Sequence, residues 1–84
     1  MNTIASAGNT VAPALLALEK LGFAIAVERA GEAQVFRAIR SDESFVADDP
    51  VAVLGLVKLI ETRSWGWRAG DAEIEGVLGR YGLR

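Results

Sequence analysis

The sequence predicts a small α+β domain: two layers, with a three-stranded antiparallel meander and helices on one face, in the order α-β-β-β-α-α. Three observations carry this. The stretch Asp48–Arg63 has the apolar periodicity of a helix too broad in its greasy arc for one neighbour. Three short runs between Phe23 and Ala47 alternate as strands do and are joined by short turns. Helical spacing of apolar residues returns at both ends of the chain. Residues 1–84 form a single domain, with residues 1–9 expected to be a loosely ordered N-terminal segment because they are small, polar and aperiodic.

Thr10 is the expected cap of the first helix, in which Val11, Ala14, Leu15, Leu18 and Leu21 share a face. Pro13 is tolerated there because first-turn amides lack intrahelical acceptors, and Gly22 supplies the left-handed stop. Phe23, Ile25 and Val27 then alternate with Ala24, Ala26 and Glu28, which predicts a strand with Phe23, Ile25 and Val27 buried. Gly31 marks a hairpin into a second strand, Gln34–Arg40. Its inward face is open: Val35 and Ile39 flank Arg37 on one side, while Phe36 and Ala38 precede Arg40 on the other, and a one-residue slip exchanges them. After a turn at Ser41–Glu43, a short strand at Ser44–Ala47 points Phe45 and Ala47 to the core and Val46 away.

In the central helix Val53, Leu56, Val57 and Ile60 make the stripe, flanked by Leu54 and Leu59. Asp49 is its expected cap, Pro50 suits its first position, and Arg63 complements its negative end. Ser64–Gly70 leads into a last helix with Asp71 as expected cap, Gly82 as stop, and Ile74, Val77, Leu78 and Tyr81 spaced for one buried stripe. Gly76 and Gly79 inside it each cost about 1 kcal/mol relative to alanine, so the helix depends on packing.

The order helix, three strands, helix over Thr10–Arg63 is similar to that of double-stranded RNA-binding domains. The resemblance is one of element order. Where those domains place lysines at the start of the second helix, this chain has Asp48, Asp49 and Pro50, and negative groups there repel phosphate.

Composition narrows the chemistry. With 9 basic and 11 acidic residues in no long run, the net charge of −2 sets up no field for nucleic acid or anionic membrane. The absence of cysteine and histidine removes disulfides, thiolate nucleophiles, imidazole bases and the usual zinc ligands. Ser41, Ser44 and Ser64 have no histidine to activate them, and Asp42, Glu43, Asp48 and Asp49 lack the spacing of a calcium loop. No phosphate loop or dinucleotide fingerprint is present. The expectation is a non-enzymatic protein without cofactor, metal or catalytic residues. The N-terminal sequence does not resemble a secretory signal and no run is long enough for a bilayer, so a cytoplasmic location is expected, without membrane contact.

Two surfaces are candidates for a partner, which would be another protein or a second copy in a homodimer. On the sheet side away from the helices, Ala24, Ala26 and Val46 would join either Phe36 or Val35 and Ile39 in a face unusually apolar for water. On the last helix, Ala72, Gly76 and Gly79 lie opposite the apolar stripe and would let a backbone approach. The alternative is nucleic-acid or anionic-ligand binding by Arg63, Trp65, Trp67 and Arg68, where aromatic faces stand beside guanidinium groups. Trp65 is the expected plug between helices, Trp67 the more exposed of the two, and Gly66 the bend.

Overall fold

The two arginines of the middle strand decide which of its faces turns inward. An arginine at mid-strand on the helix side would have to shed its water, whereas one at the strand end can reach out past the core. In the computed structural model, which describes residues 1–5 and 7–84, Arg37 accordingly points away from the helices and Arg40 lies at the end of its strand on the helix side. Arg40 donates from Nη1 to the Leu21 carbonyl at 2.9 Å, pairs with Glu43 at 3.2 Å, and lies 4.2 Å over the Phe23 ring. Phe36 and Ala38 therefore face the helices, and Val35, Arg37 and Ile39 face away.

The elements are α1 (Val11–Lys20), β1 (Ala24–Ala30), β2 (Ala33–Arg40), β3 (Glu43–Ala47), α2 (Pro50–Arg63) and α3 (Asp71–Arg80), preceded by a 3-10 turn at Gly8–Thr10. The strands form one antiparallel sheet in the order β1-β2-β3, as the sequence predicts. Both connections are two residues long, Gly31–Glu32 and Ser41–Asp42, so Glu43 belongs to β3 rather than to the turn. Ser6, within the segment expected to be loosely ordered, lies outside the described residues.

α1 and α2 make the helical layer. Its core joins Leu18, Phe23, Ala38, Phe45, Val53 and Val57, with Ile25, Phe36, Ala47, Leu54, Leu56 and Ile60 packed around it. Ala38, with no exposed surface, keeps the middle strand low where Val53 and Val57 of α2 close over the sheet. The layer does not reach the β1–β2 hairpin: Val27, expected to be buried, is 54% exposed because nothing covers that end of β1.

Caps explain where the helices begin and end. Gly22, at φ +94°, closes α1 in a Schellman arrangement, in which the Phe23 N–H donates to the Leu18 carbonyl and the Gly22 N–H to that of Glu19. The turn thereby drops Phe23 beside Leu18 in the core. Asp49 caps α2 as expected, its Oδ1 accepting from Val51 N at 2.8 Å and Ala52 N at 3.0 Å, with Pro50 buried in the first turn. Asp49→Ala is expected to cost about 1 kcal/mol, read as a lower urea midpoint at unchanged slope. Thr10 does not cap α1: its hydroxyl donates backwards to the Ala7 carbonyl, closing the 3-10 turn instead.

α3 is another matter. No residue of it is buried, and Ile74, Val77 and Tyr81 of its expected buried stripe are exposed, with Leu78 half-buried. The radius of gyration is 15.2 Å, against about 12 Å for a compact domain of this length.

Candidate interaction surface

The register places Ala24, Ala26, Val35, Ile39 and Val46 on the sheet face away from the helices. Ile39 and Val46 are exposed there. The face is nevertheless divided by Arg37 at its centre, whose guanidinium holds Glu28 through two nitrogens, each at 3.2 Å from a carboxylate oxygen, and donates to Ser44 Oγ at 3.0 Å. Glu28, Arg37 and Ser44 thus span all three strands. The expectation of an unusually apolar face holds for the residues around this bridge and fails at its middle, because the turn to β2 fixes a register that sends Arg37 outward.

Beside β3 and bordering this face lies a shallow apolar cleft lined by Phe45, Leu56, Leu59, Ile60, Trp65 and Trp67. Trp65 stacks on Phe45 with ring centroids 5.7 Å apart and 21° between planes, and Phe45 meets Phe23 edge-on at 5.8 Å. One face of Trp65 therefore plugs the core, yet the residue remains 58% exposed while Trp67 is 37% exposed, reversing the expected order. Trp67 is shielded by Arg68, whose guanidinium lies 4.8 Å over its ring. The bend falls on Ser64, at φ +58° and ψ −170°, a conformation costing a non-glycine residue on the order of 1–3 kcal/mol; Gly66 does not make it.

The four residues suggested for an anionic ligand do come together, but they are spent on one another. Arg63 donates from Nε to the Trp67 carbonyl at 2.9 Å and pairs with Glu73 at 3.6 Å, which ties the loop and α3 to the end of α2. Arg68 covers Trp67. The arrangement holds a loop, with aromatic surface left over.

α3 starts at Gly70, whose N–H donates to Glu73 Oε1 at 2.9 Å; Asp71, the expected cap, is instead the first helical residue. A side chain three residues inside the helix satisfies the end that a capping side chain would otherwise serve. The Glu73 carboxyl is held below its ordinary value, first by the Gly70 N–H and then by the Arg63 charge. A lowered folded value means that its support for α3 is complete above the ordinary glutamate range and is lost as pH falls through the lowered value. Glu73→Gln is expected to flatten that acid limb in the helical circular dichroism signal and to leave the neutral-to-alkaline limb unchanged.

α3 ends in a second Schellman arrangement, with Gly82 at φ +66°, Leu83 N–H donating to the Leu78 carbonyl and Gly82 N–H to that of Gly79. The chain then turns back, and Arg84 pairs with Glu75. Its guanidinium lies 3.1 Å from where a Gly79 side chain would begin, so part of the Ala72, Gly76 and Gly79 face is taken by the chain itself; Gly76 stays open. The side that remains bare is the opposite one, the stripe of Ile74, Val77, Leu78 and Tyr81.

Among the described residues no group of three or more aspartates, glutamates, histidines or cysteines is placed to hold a metal, and no helix is long and apolar enough to cross a membrane. Lys58 is exposed and paired with Glu61 at 3.5 Å. Comparison with protein families, curated proteins and solved structures finds no significant match to this chain.

Proposed function

We propose that the protein is a small non-enzymatic interaction module that works by burying apolar surface, with the stripe of α3 as its binding element. The observation that carries this is a helix of 10 residues with two interior glycines and no buried side chain. Isolated helices shorter than about 12–15 residues are marginal in water, and each glycine weakens this one further. Its stripe of four apolar residues at helical spacing is what such a helix presents to a partner that stabilises it. The sheet face, with Arg37 across it, serves this purpose less well than the sequence suggests.

An apolar fluorescent dye at low micromolar protein tests the reading. The wild type is expected to bind it, binding is expected to persist in about 0.5 M salt, and Val77→Asp is expected to weaken it several-fold while the sheet signal stays. Absence of dye binding would overturn the proposal. Tryptophan quenching by an oligonucleotide that collapses as salt rises would instead favour the loop of Arg63, Trp65, Trp67 and Arg68 as a phosphate site.

A further inference from the structure

We infer that the occupant of the α3 stripe is a second copy of this chain, with α3 packed antiparallel against its counterpart about a two-fold axis. The inference rests on the reading of α3 as the binding element and names its partner.

In an antiparallel helix pair related by a two-fold, residues whose numbers sum to a constant lie at one level along the axes. With the axis between Val77 and Leu78, Ile74 stands level with Tyr81 of the second copy, and Val77 with its Leu78. The stripe is therefore its own complement: each of its four apolar residues meets an apolar residue, and none is left facing a polar group.

The flanking charges agree. On the helical wheel Glu73, Val77 and Arg80 lie on one flank, and Asp71, Glu75 and Leu78 on the other. A two-fold of this kind sets each flank beside the same flank of the copy, as in antiparallel coiled coils. Glu73 then comes within about 3 Å axially of the copy's Arg80, two residues of rise, and the contact occurs twice. Glu73 is more than half exposed; its Oε1 accepts from the Gly70 N–H at 2.9 Å and its Oε2 lies 3.6 Å from Arg63, so the copy's guanidinium would share the more loosely held Oε2. The opposite flank would set Glu75 towards its own counterpart, about 7.5 Å along the axis. That repulsion is already relieved, because Arg84 pairs with Glu75 within each chain.

The exposed area points the same way. The chain leaves 6377 Å² accessible, about 1,600 Å² more than the roughly 4,800 Å² of a compact monomer of its mass. That excess is spread along the chain, from Met1 and Ile4 to Trp65 and Leu83, and the stripe of α3 holds a part of it, so the pair would be smaller than the standard interface of about 800 Å² per partner.

Sedimentation velocity on the full chain is expected to show weight-average mass rising from one chain towards two between roughly 10 µM and 1 mM, the range of a small interface. Val77→Asp is expected to abolish the rise, and Arg80→Glu, which puts two carboxylates at each flanking contact, to weaken association roughly tenfold. The chain has no cysteine, so single thiols report without ambiguity. Val77→Cys, within about 1.5 Å of the level of its own counterpart, is expected to oxidise to a covalent dimer, and Leu16→Cys on the exposed side of α1 is expected not to. A wild type that stays monomeric at 1 mM, or equal cross-linking of the two thiols, overturns the second copy as occupant. If such a monomer still binds dye through Val77, the stripe reading survives; if it does not, both fall.

Discussion

Phe45→Ala is expected to cost about 3–5 kcal/mol, among the largest losses for a single truncation in the core. Phe45 is 5% exposed and is the middle ring of three, edge-on to Phe23 beneath and stacked on Trp65 above. Removing it opens a hole between the helices and the sheet and takes the floor from under the cleft at once. A domain of this size has roughly 4–13 kcal/mol in hand, so the loss takes from about a quarter to all of it, and at the low end of that range the variant is expected to be near or past its midpoint at room temperature. Where it remains folded, in stabilising osmolyte, Trp65 emission is expected to shift to the red. A loss under about 1 kcal/mol with unchanged emission would show that the three rings do not act as one support.

Leu18→Ala is expected to cost about 2–5 kcal/mol, or a fall in melting temperature of about 10–30 °C. Leu18 is 1% exposed and does two things: it fills the space between α1, Phe23 and α2, and its carbonyl receives the Phe23 N–H that turns the chain into β1. The alanine keeps the carbonyl and loses the side chain, so the loss reads packing alone. Tryptophan emission is expected to be unaffected below the transition, unlike in the Phe45 variant. Leu16→Ala, two residues away but 64% exposed, is the control, expected within about 0.5 kcal/mol of wild type.

Much of the fold is legible in the sequence because its signals are local. Asp49 and Pro50 start α2 by hydrogen bonding and ring geometry that depend on nothing distant, and Gly22, Gly31 and Gly82 stand where the backbone needs positive φ. The register of β2 is not legible from alternation, since an arginine lies on each face; it follows only when Arg40 is seen to have Leu21, Glu43 and Phe23 within reach. Thr10 and Asp71 look like caps by residue type, but a cap is a matter of which N–H groups the side chain reaches, and Ala7 and Glu73 supply competing partners. No composition signal marks Ser64 as the left-handed residue while Gly66 stands two positions on.

The candidate site shows the same division. The stripe of α3 is legible as apolar spacing, but periodicity says that something must cover a face without saying whether it belongs to the same molecule. Under the proposed pairing the charge pattern adds to this, since Glu73 and Arg80 on the flank of Val77 would meet across a reversed copy. The Arg63, Trp65, Trp67 and Arg68 cluster is legible as a group, but spacing does not show that its cations find a carbonyl, a carboxylate and a ring within the chain.

Arg37, clamped between Glu28 and Ser44, governs what happens when these molecules crowd together. Apolar sheet faces can pack dry against one another, as paired sheets do inside fibrils. Here a second sheet laid on the first would have to strip water from a guanidinium and a carboxylate with nothing new to bind them. The bridge therefore makes stacking on that side costlier than its alanines and valines alone would.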